Sequence, residues 1–83
     1  MSIQNKLYNL EDELLKETNS VSRYDSEGKS IAERVEEIFQ DTDIQHQIWD
    51  SYFDIGPSTE VGVTSISWIE DGRLNLYVIE WEE

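Results

Sequence analysis

The chain has 83 residues, enough for one domain with a small hydrophobic core. Nineteen Asp and Glu oppose six Lys and Arg, and the net charge of −13 disfavours direct binding to nucleic acid or to an anionic membrane. Cysteine is absent, which excludes disulfides and thiolate metal sites. No segment is typical of a secretory signal or a membrane span, so we expect a cytoplasmic location.

The first predicted element is a helix over about residues 3–18. Ile3, Leu7, Leu10 and Leu14 recur at spacings of three and four residues, which is typical of the apolar stripe of an amphipathic helix. Ser2 precedes the stripe and can cap the helix. The polar, turn-prone residues 19–30 that follow indicate a loop.

Two further helices are predicted, over about residues 31–40 and 43–54. Each segment begins with a capping box, since Ser30 precedes Glu33 and Thr42 precedes Gln45. Apolar residues then recur at helical spacing, with acidic residues mostly on the opposite face. In the third helix the apolar face would contain Ile44, Ile48, Trp49, Tyr52 and Phe53.

An antiparallel hairpin is predicted over about residues 61–70 and 73–81. Asp71 and Gly72 suit a two-residue type I′ turn, which sets the register by pairing Ile69 with Leu74. One face then holds aliphatic residues among small serines, which suits close approach by a helix. The other face is rich in aromatic residues and carries Ile66, Trp68, Tyr77, Ile79 and Trp81.

These elements predict a single α+β domain, residues 1–83, in which three helices precede one hairpin (ααα-ββ). Because both faces of the hairpin are apolar, something must cover the second face. Helices can sandwich the hairpin, its edges can pair with a second copy to form a homodimer, or the aromatic face can bind another protein. The sequence leaves these three alternatives open.

No pattern of residues predicts an active site, a metal site or a cofactor. His46 is the single histidine, and on a third helix it would pair with Asp50 one turn later. No nucleophile is indicated beside it, so we expect no enzyme and no catalytic residue. Asp41 and Asp43 superficially match the start of a calcium loop, but His46 occupies the position where that loop requires glycine.

The remaining functional signal is a set of acidic residues on the second and third predicted helices. Regularly spaced carboxylates can imitate the phosphates of a nucleic acid and bind a basic groove. The alternative is that they form only the solvated faces of amphipathic helices. The residues are Glu33, Glu36, Glu37, Asp41, Asp50 and Asp54.

In size and charge the chain resembles phage or plasmid inhibitors that mimic DNA, and immunity proteins that bind basic toxin nucleases. The resulting hypothesis is a non-enzymatic acidic protein-binding module. Its partner would be a basic protein that handles nucleic acid, which the module inhibits or regulates, and the aromatic hairpin face would anchor that partner if exposed. The alternative is a small homodimeric structural or accessory protein whose acidity only confers solubility.

Overall fold

The structure, a computed structural model, describes residues 2–15 and 19–83. Two helices, α1 (Ile3–Glu13) and α2 (Ile31–Phe39), precede three strands, β1 (His46–Gly56), β2 (Thr59–Glu70) and β3 (Arg73–Glu82). The strands form one antiparallel sheet in the order β1-β2-β3, and both helices contribute to a core on one of its faces. The molecule is a small α+β fold, but the expected arrangement of three helices and a two-stranded hairpin is wrong.

Both helices begin where their capping residues predict. Ser2 Oγ accepts a hydrogen bond from Asn5 N–H at 3.2 Å, and Ser30 Oγ accepts one from Glu33 N–H at 3.2 Å. The first helix is shorter than expected, because it ends at Glu13 and Leu15 already forms a β-bridge with Val21. Residues 16–18 of the predicted helix lie outside the described residues.

The predicted third helix over residues 43–54 is wrong, because most of this segment is strand β1. Thr42 is not a helix N-cap. Its hydroxyl donates to Phe39 O at 2.8 Å and accepts from Ile44 N–H at 3.3 Å, so it closes a turn after α2. From His46 onward the chain then pairs with β2, with Ile48 opposite Ile66.

The hairpin of β2 and β3 has the predicted register. Asp71 and Gly72 form the turn with φ of 56° and 73°, as a type I′ turn requires. Ile69 lies opposite Leu74, and the pairing continues without a shift as far as Val61 and Glu82. The register predicted from the turn residues is therefore confirmed. Strand β1, which pairs with the other edge of β2, was not predicted.

The hydrophobic core lies between the helices and one face of the sheet. The helices contribute the apolar stripes predicted for them, and the sheet contributes alternate residues of β2 and β3. Phe39 lies at the centre, with its ring stacked on His46 at 4.2 Å and tilted against Trp68 at 6.2 Å. Among the described residues, no helix lies against the second face of the sheet.

Candidate protein-binding surfaces

The sequence left it open whether helices cover the aromatic hairpin face, a second copy pairs with the hairpin, or another protein binds that face; in the structure the face lies in the core. Ile66 and Ile79 are fully buried, and Trp68 and Trp81 are each 3% exposed. Tyr77 is half-buried, and its hydroxyl donates to Glu11 Oε1 at 2.7 Å, which joins β3 to α1. Burial and this carboxylate raise the pKa of Tyr77 to about 12. In this structure a partner cannot reach the face, since α1 and α2 cover it.

The opposite side of the sheet, here called the open face, exposes most of its large apolar side chains. Sequence reasoning had assigned its hairpin part to contact with a helix and did not place β1 there. The exposed fractions of these side chains range from 46% to 68%. They are Trp49 and Phe53 on β1, Ile69 on β2, and Leu74, Leu76 and Val78 on β3.

This exposed surface is large for a domain of this size. Taking about 180 Å² as the area of a large apolar side chain, the six residues expose on the order of 600 Å². That value is at the upper limit of the largest apolar patch on a typical monomer, and stable interfaces bury about 800 Å² on each partner. The open face therefore has the size of an interaction surface.

The open face is shaped as a trough. Its central strand presents the small residues Ser65 and Ser67, which lie opposite Trp49 and Gln47 on β1. On the other side, Leu76 and Val78 of β3 are opposite the same two serines. Because neighbouring strands are about 4.8 Å apart, the two outer rows are centred about 10 Å apart. The low floor is confined to the two serines, since towards the acidic end the floor continues as Val63, opposite Ser51 on β1.

Both charged residues of the open face are acidic, and both lie at one of its ends. Glu80 is opposite Val63 and Glu82 is opposite Val61, and both carboxylates are exposed. A cavity of about 590 Å³ extends around the edge of β3 at this end. It is lined by Phe53 and these two glutamates on the open face and also by residues of α1 and the loop after it, such as Glu11 and Val21. No Lys or Arg side chain among the described residues lies on the open face: Lys6, Arg23, Lys29, Arg34 and Arg73 are elsewhere.

The six acidic residues predicted to bind a partner do not form one row. Glu33, Glu36 and Glu37 are exposed on α2, and Asp41 is exposed just beyond it. The other two lie on β1, since the helix expected there does not form. They are Asp50, which accepts from Thr64 Oγ1 and lies 3.9 Å from Arg23, and Asp54, which is exposed near the end of the strand.

The histidine predicted to pair with Asp50 lies elsewhere. His46 Nε2 is 3.4 Å from the carboxylate of Glu36, and its Nδ1 is 3.0 Å from Ile44 O. The pairing with Asp50 is wrong, because residues four apart are neighbours on a helix but about 13 Å apart along a strand. Across residues 2–15 and 19–83, no group of three or more His, Asp or Glu is arranged to hold a metal ion.

Arg23 joins the loop after α1 to the far end of the sheet. Its guanidinium lies over the rings of Tyr52 and Trp81, at 4.4 and 4.5 Å from the centroids. Glu60 and Glu83 lie 3.6 and 3.9 Å from it. The close approach of Glu83 raises the pKa of the Glu60 carboxyl above its ordinary value. These contacts are structural, since they fasten the C-terminal strand to the loop.

A second ion-pair group joins the two helices. Arg34 on α2 donates to both carboxylate oxygens of Glu13, at 2.8 and 3.0 Å, and to Asp25 at 2.8 Å. The hydrogen bonds from Arg34 lower the pKa of Glu13. Asp25 also accepts backbone N–H bonds from Lys29 and Glu27, and these, with Arg34, lower its pKa too.

Comparisons of this chain with protein-family models, with curated proteins and with solved structures found no match. In the described part of the chain, no helix has the length and apolar character that crossing a bilayer requires.

Proposed function

We propose that this chain is a non-enzymatic protein-binding module whose partner docks on the open face. The observation that carries the proposal is the exposure of six large apolar side chains on one side of the sheet, while the other side is packed against helices. Removing such a surface from water is favourable, so its exposure is best explained by a partner. The proposal retains the cytoplasmic location expected from the sequence.

The charge of the chain supports a basic partner. A net charge of −13 attracts a positively charged protein and speeds its diffusional encounter, while it repels other copies of this chain. Proteins that bind nucleic acid carry basic surfaces, so they are positively charged partners that this chain would attract. In this proposal the module inhibits or regulates such a protein by binding it.

A second candidate uses the acidic side of α2 rather than the open face. Glu33 and Glu36 are exposed together along this helix and can imitate a short run of phosphates, whereas the adjacent Glu37 accepts a hydrogen bond from Lys29 Nζ at 2.7 Å. This candidate uses fewer acidic residues than the sequence-based hypothesis. Asp50, for example, is half-buried and accepts a hydrogen bond from Thr64.

Site-specific photo-crosslinking in the cells that make the protein separates these candidates. One variant carries the crosslinker in place of Val78 on the open face, and a matched variant carries it in place of Glu33 on α2. Docking on the open face predicts an adduct with another protein from position 78, and phosphate mimicry predicts an adduct from position 33.

The alternative of a homodimeric accessory protein gives a different result in the same experiment. It predicts adducts from position 78 only between copies of this chain. Such a result, or no adduct at all from position 78, contradicts the proposed function.

A further inference from the structure

We propose that the open face binds an amphipathic helix of a partner protein, with Lys or Arg residues placed over Glu80 and Glu82. This inference rests on the proposed function and specifies its partner.

The shape of the trough fits a helix. The outer rows on β1 and β3 are centred about 10 Å apart, which is no more than the full width of an α-helix with its side chains, about 10–12 Å, so a helix would rest on the two rows. Ser65 and Ser67 keep the floor low, so one row of apolar side chains from the helix can enter between the walls. The rim residues Leu76 and Trp49, 67% and 47% exposed, would then contact both sides of the helix.

The charges of the trough specify what the helix carries. Glu80 and Glu82 lie at one end, beside the cavity that Phe53 helps to line. Phe53 on β1 and the two carboxylates on β3 lie on opposite sides of β2. A Lys or Arg side chain that crosses β2 could therefore pack its stem on Phe53 and bring its charged end to the glutamates. The helix would therefore be basic near this end of the trough and apolar along its length.

The same charges disfavour a second copy as the occupant. Stacking two open faces would bring together two chains of −13 each, and would cover Glu80 and Glu82. No cation on the described part of the open face is available to compensate these carboxylates. Covering an unpaired carboxylate is costly, so the favoured partner supplies the positive charge itself.

The test uses synthetic peptides of about 18 residues and the whole chain. The first peptide is a Leu/Lys amphipathic helix, the second replaces its Lys with Glu, and the third has the composition of the first in a scrambled order. Trp49 reports binding, because Trp68 and Trp81 are buried and a helix in the trough would shift the fluorescence of the exposed Trp49 to shorter wavelength. Trp49→Phe should abolish that shift.

We expect the Leu/Lys helix to bind at least about tenfold more tightly than the other two peptides at physiological salt. Glu80→Gln with Glu82→Gln should weaken its binding about three- to tenfold. Glu33→Gln with Glu36→Gln removes the same charge from α2 and is the matched control, which should change the affinity by less than about twofold. Leu76→Ala with Val78→Ala should weaken binding by about tenfold or more.

Three results would overturn the inference. They are equal binding of the scrambled peptide, equal effects of the two double Gln variants, and a dimer at physiological salt in sedimentation experiments that Leu76→Lys dissociates. If no peptide binds but position 78 still crosslinks to another protein, only the helical partner is wrong. If that crosslink is absent too, the proposed function fails with it.

Discussion

At some positions a single residue determines how closely its strand can approach the neighbouring strand and the core side chains. Gly62 is the clearest case. A Cβ atom at this position would lie 2.5 Å from Ser51 O, 2.6 Å from Tyr52 Cβ and 2.8 Å from Trp81 Cζ2. Two of these neighbours belong to the adjacent strand and the third is a buried ring. The glycine is therefore required by space rather than by backbone conformation.

Gly62→Ala should destabilise the fold by about 3 kcal/mol, because the added methyl group forces the strand or the Trp81 ring to move. Gly56→Ala is the matched control, since a Cβ atom there has no neighbour within 4 Å, and it should change stability by less than about 0.5 kcal/mol. Urea unfolding followed by circular dichroism measures both. Equal midpoints for the two variants would show that the space around Gly62 is not limiting.

The ion pairs of Arg34 make the stability of the fold depend on pH. Its carboxylate partners, Glu13 and Asp25, have lowered pKa values, so the stability that they add is complete above their ordinary values of 4.5 and 3.8 and is lost as the pH falls through the values in the folded state. Glu60 has a raised pKa and acts in the opposite direction, but it does so with or without Arg34.

Arg34→Met should therefore lower the urea midpoint at pH 7, and the deficit should shrink as the pH falls from 6 to 2. The reason is that the protonated carboxyls no longer gain from the guanidinium. Arg73→Met, at an exposed position, is the control and should have a small effect that does not vary with pH. A deficit for Arg34→Met that is constant over this range would contradict the prediction.

At the scale of elements, adjacent residues of strand β3 lie on opposite faces of the sheet, so they test the two faces separately. Ile79 is fully buried under the helices, and Val78 is 53% exposed on the open face. Ile79→Ala should cost about 2–5 kcal/mol, and Val78→Ala less than about 1 kcal/mol. The same urea experiment measures both. Similar losses at the two positions would mean that the open face is covered in solution.

The elements that the sequence predicted correctly depend on local chemistry. Ser2 and Ser30 cap the helices because their hydroxyls reach N–H groups three residues away, and Asp71-Gly72 fixes the hairpin within four residues. Such signals do not depend on the rest of the fold. They established the two helix starts and the register of β2 with β3.

Strand β1 was missed because both of its faces carry apolar residues, which removes the alternation that identifies a strand. Ile48 and Tyr52 lie on the helix side and Trp49 and Phe53 on the other, a set that also matches helical spacing. Two signals favoured a strand: many aromatic and β-branched residues, and Gly56-Pro57-Ser58 between two apolar runs. What decides between a helix and a strand here is the pairing with β2, and that pairing depends on residues distant in the sequence.

Which face of the hairpin is exposed could not be predicted, for a related reason. The sequence indicates that the hairpin has two apolar faces, but which one the helices cover depends on how α1 and α2 pack, through contacts such as Phe39 with Trp68. The aromatic side chains form the core, and the aliphatic side with its serines remains open. Alternation within the hairpin could not supply this information.

At the scale of the whole molecule, charge and the open face act in opposite directions. The charge of −13 keeps copies apart, while the exposed apolar side chains favour association. The screening length falls from about 8 Å at physiological salt to about 3 Å at 1 M, so repulsion weakens while burial of apolar surface does not.

We therefore expect a monomer at physiological salt and reversible self-association at 1 M NaCl, measured by sedimentation equilibrium. Leu76→Lys should remain monomeric at 1 M NaCl, because it places a charge among the exposed apolar side chains of the open face. Glu33→Gln changes the net charge by the same amount away from this face and should associate as the wild type does. Association of Leu76→Lys to the same extent would contradict a role for the open face.

The end of the β1–β2 hairpin has a practical consequence. Residues 51–58 are all exposed, and Pro57 and Ser58 form the turn at the end of a molecule 43 Å long and about 20 Å in its other dimensions. Because neither α1 nor α2 buries the residues of this turn, a short peptide tag inserted between Pro57 and Ser58 should leave the core intact. The turn thus provides an attachment point through which the molecule can be fixed to a surface in one known orientation.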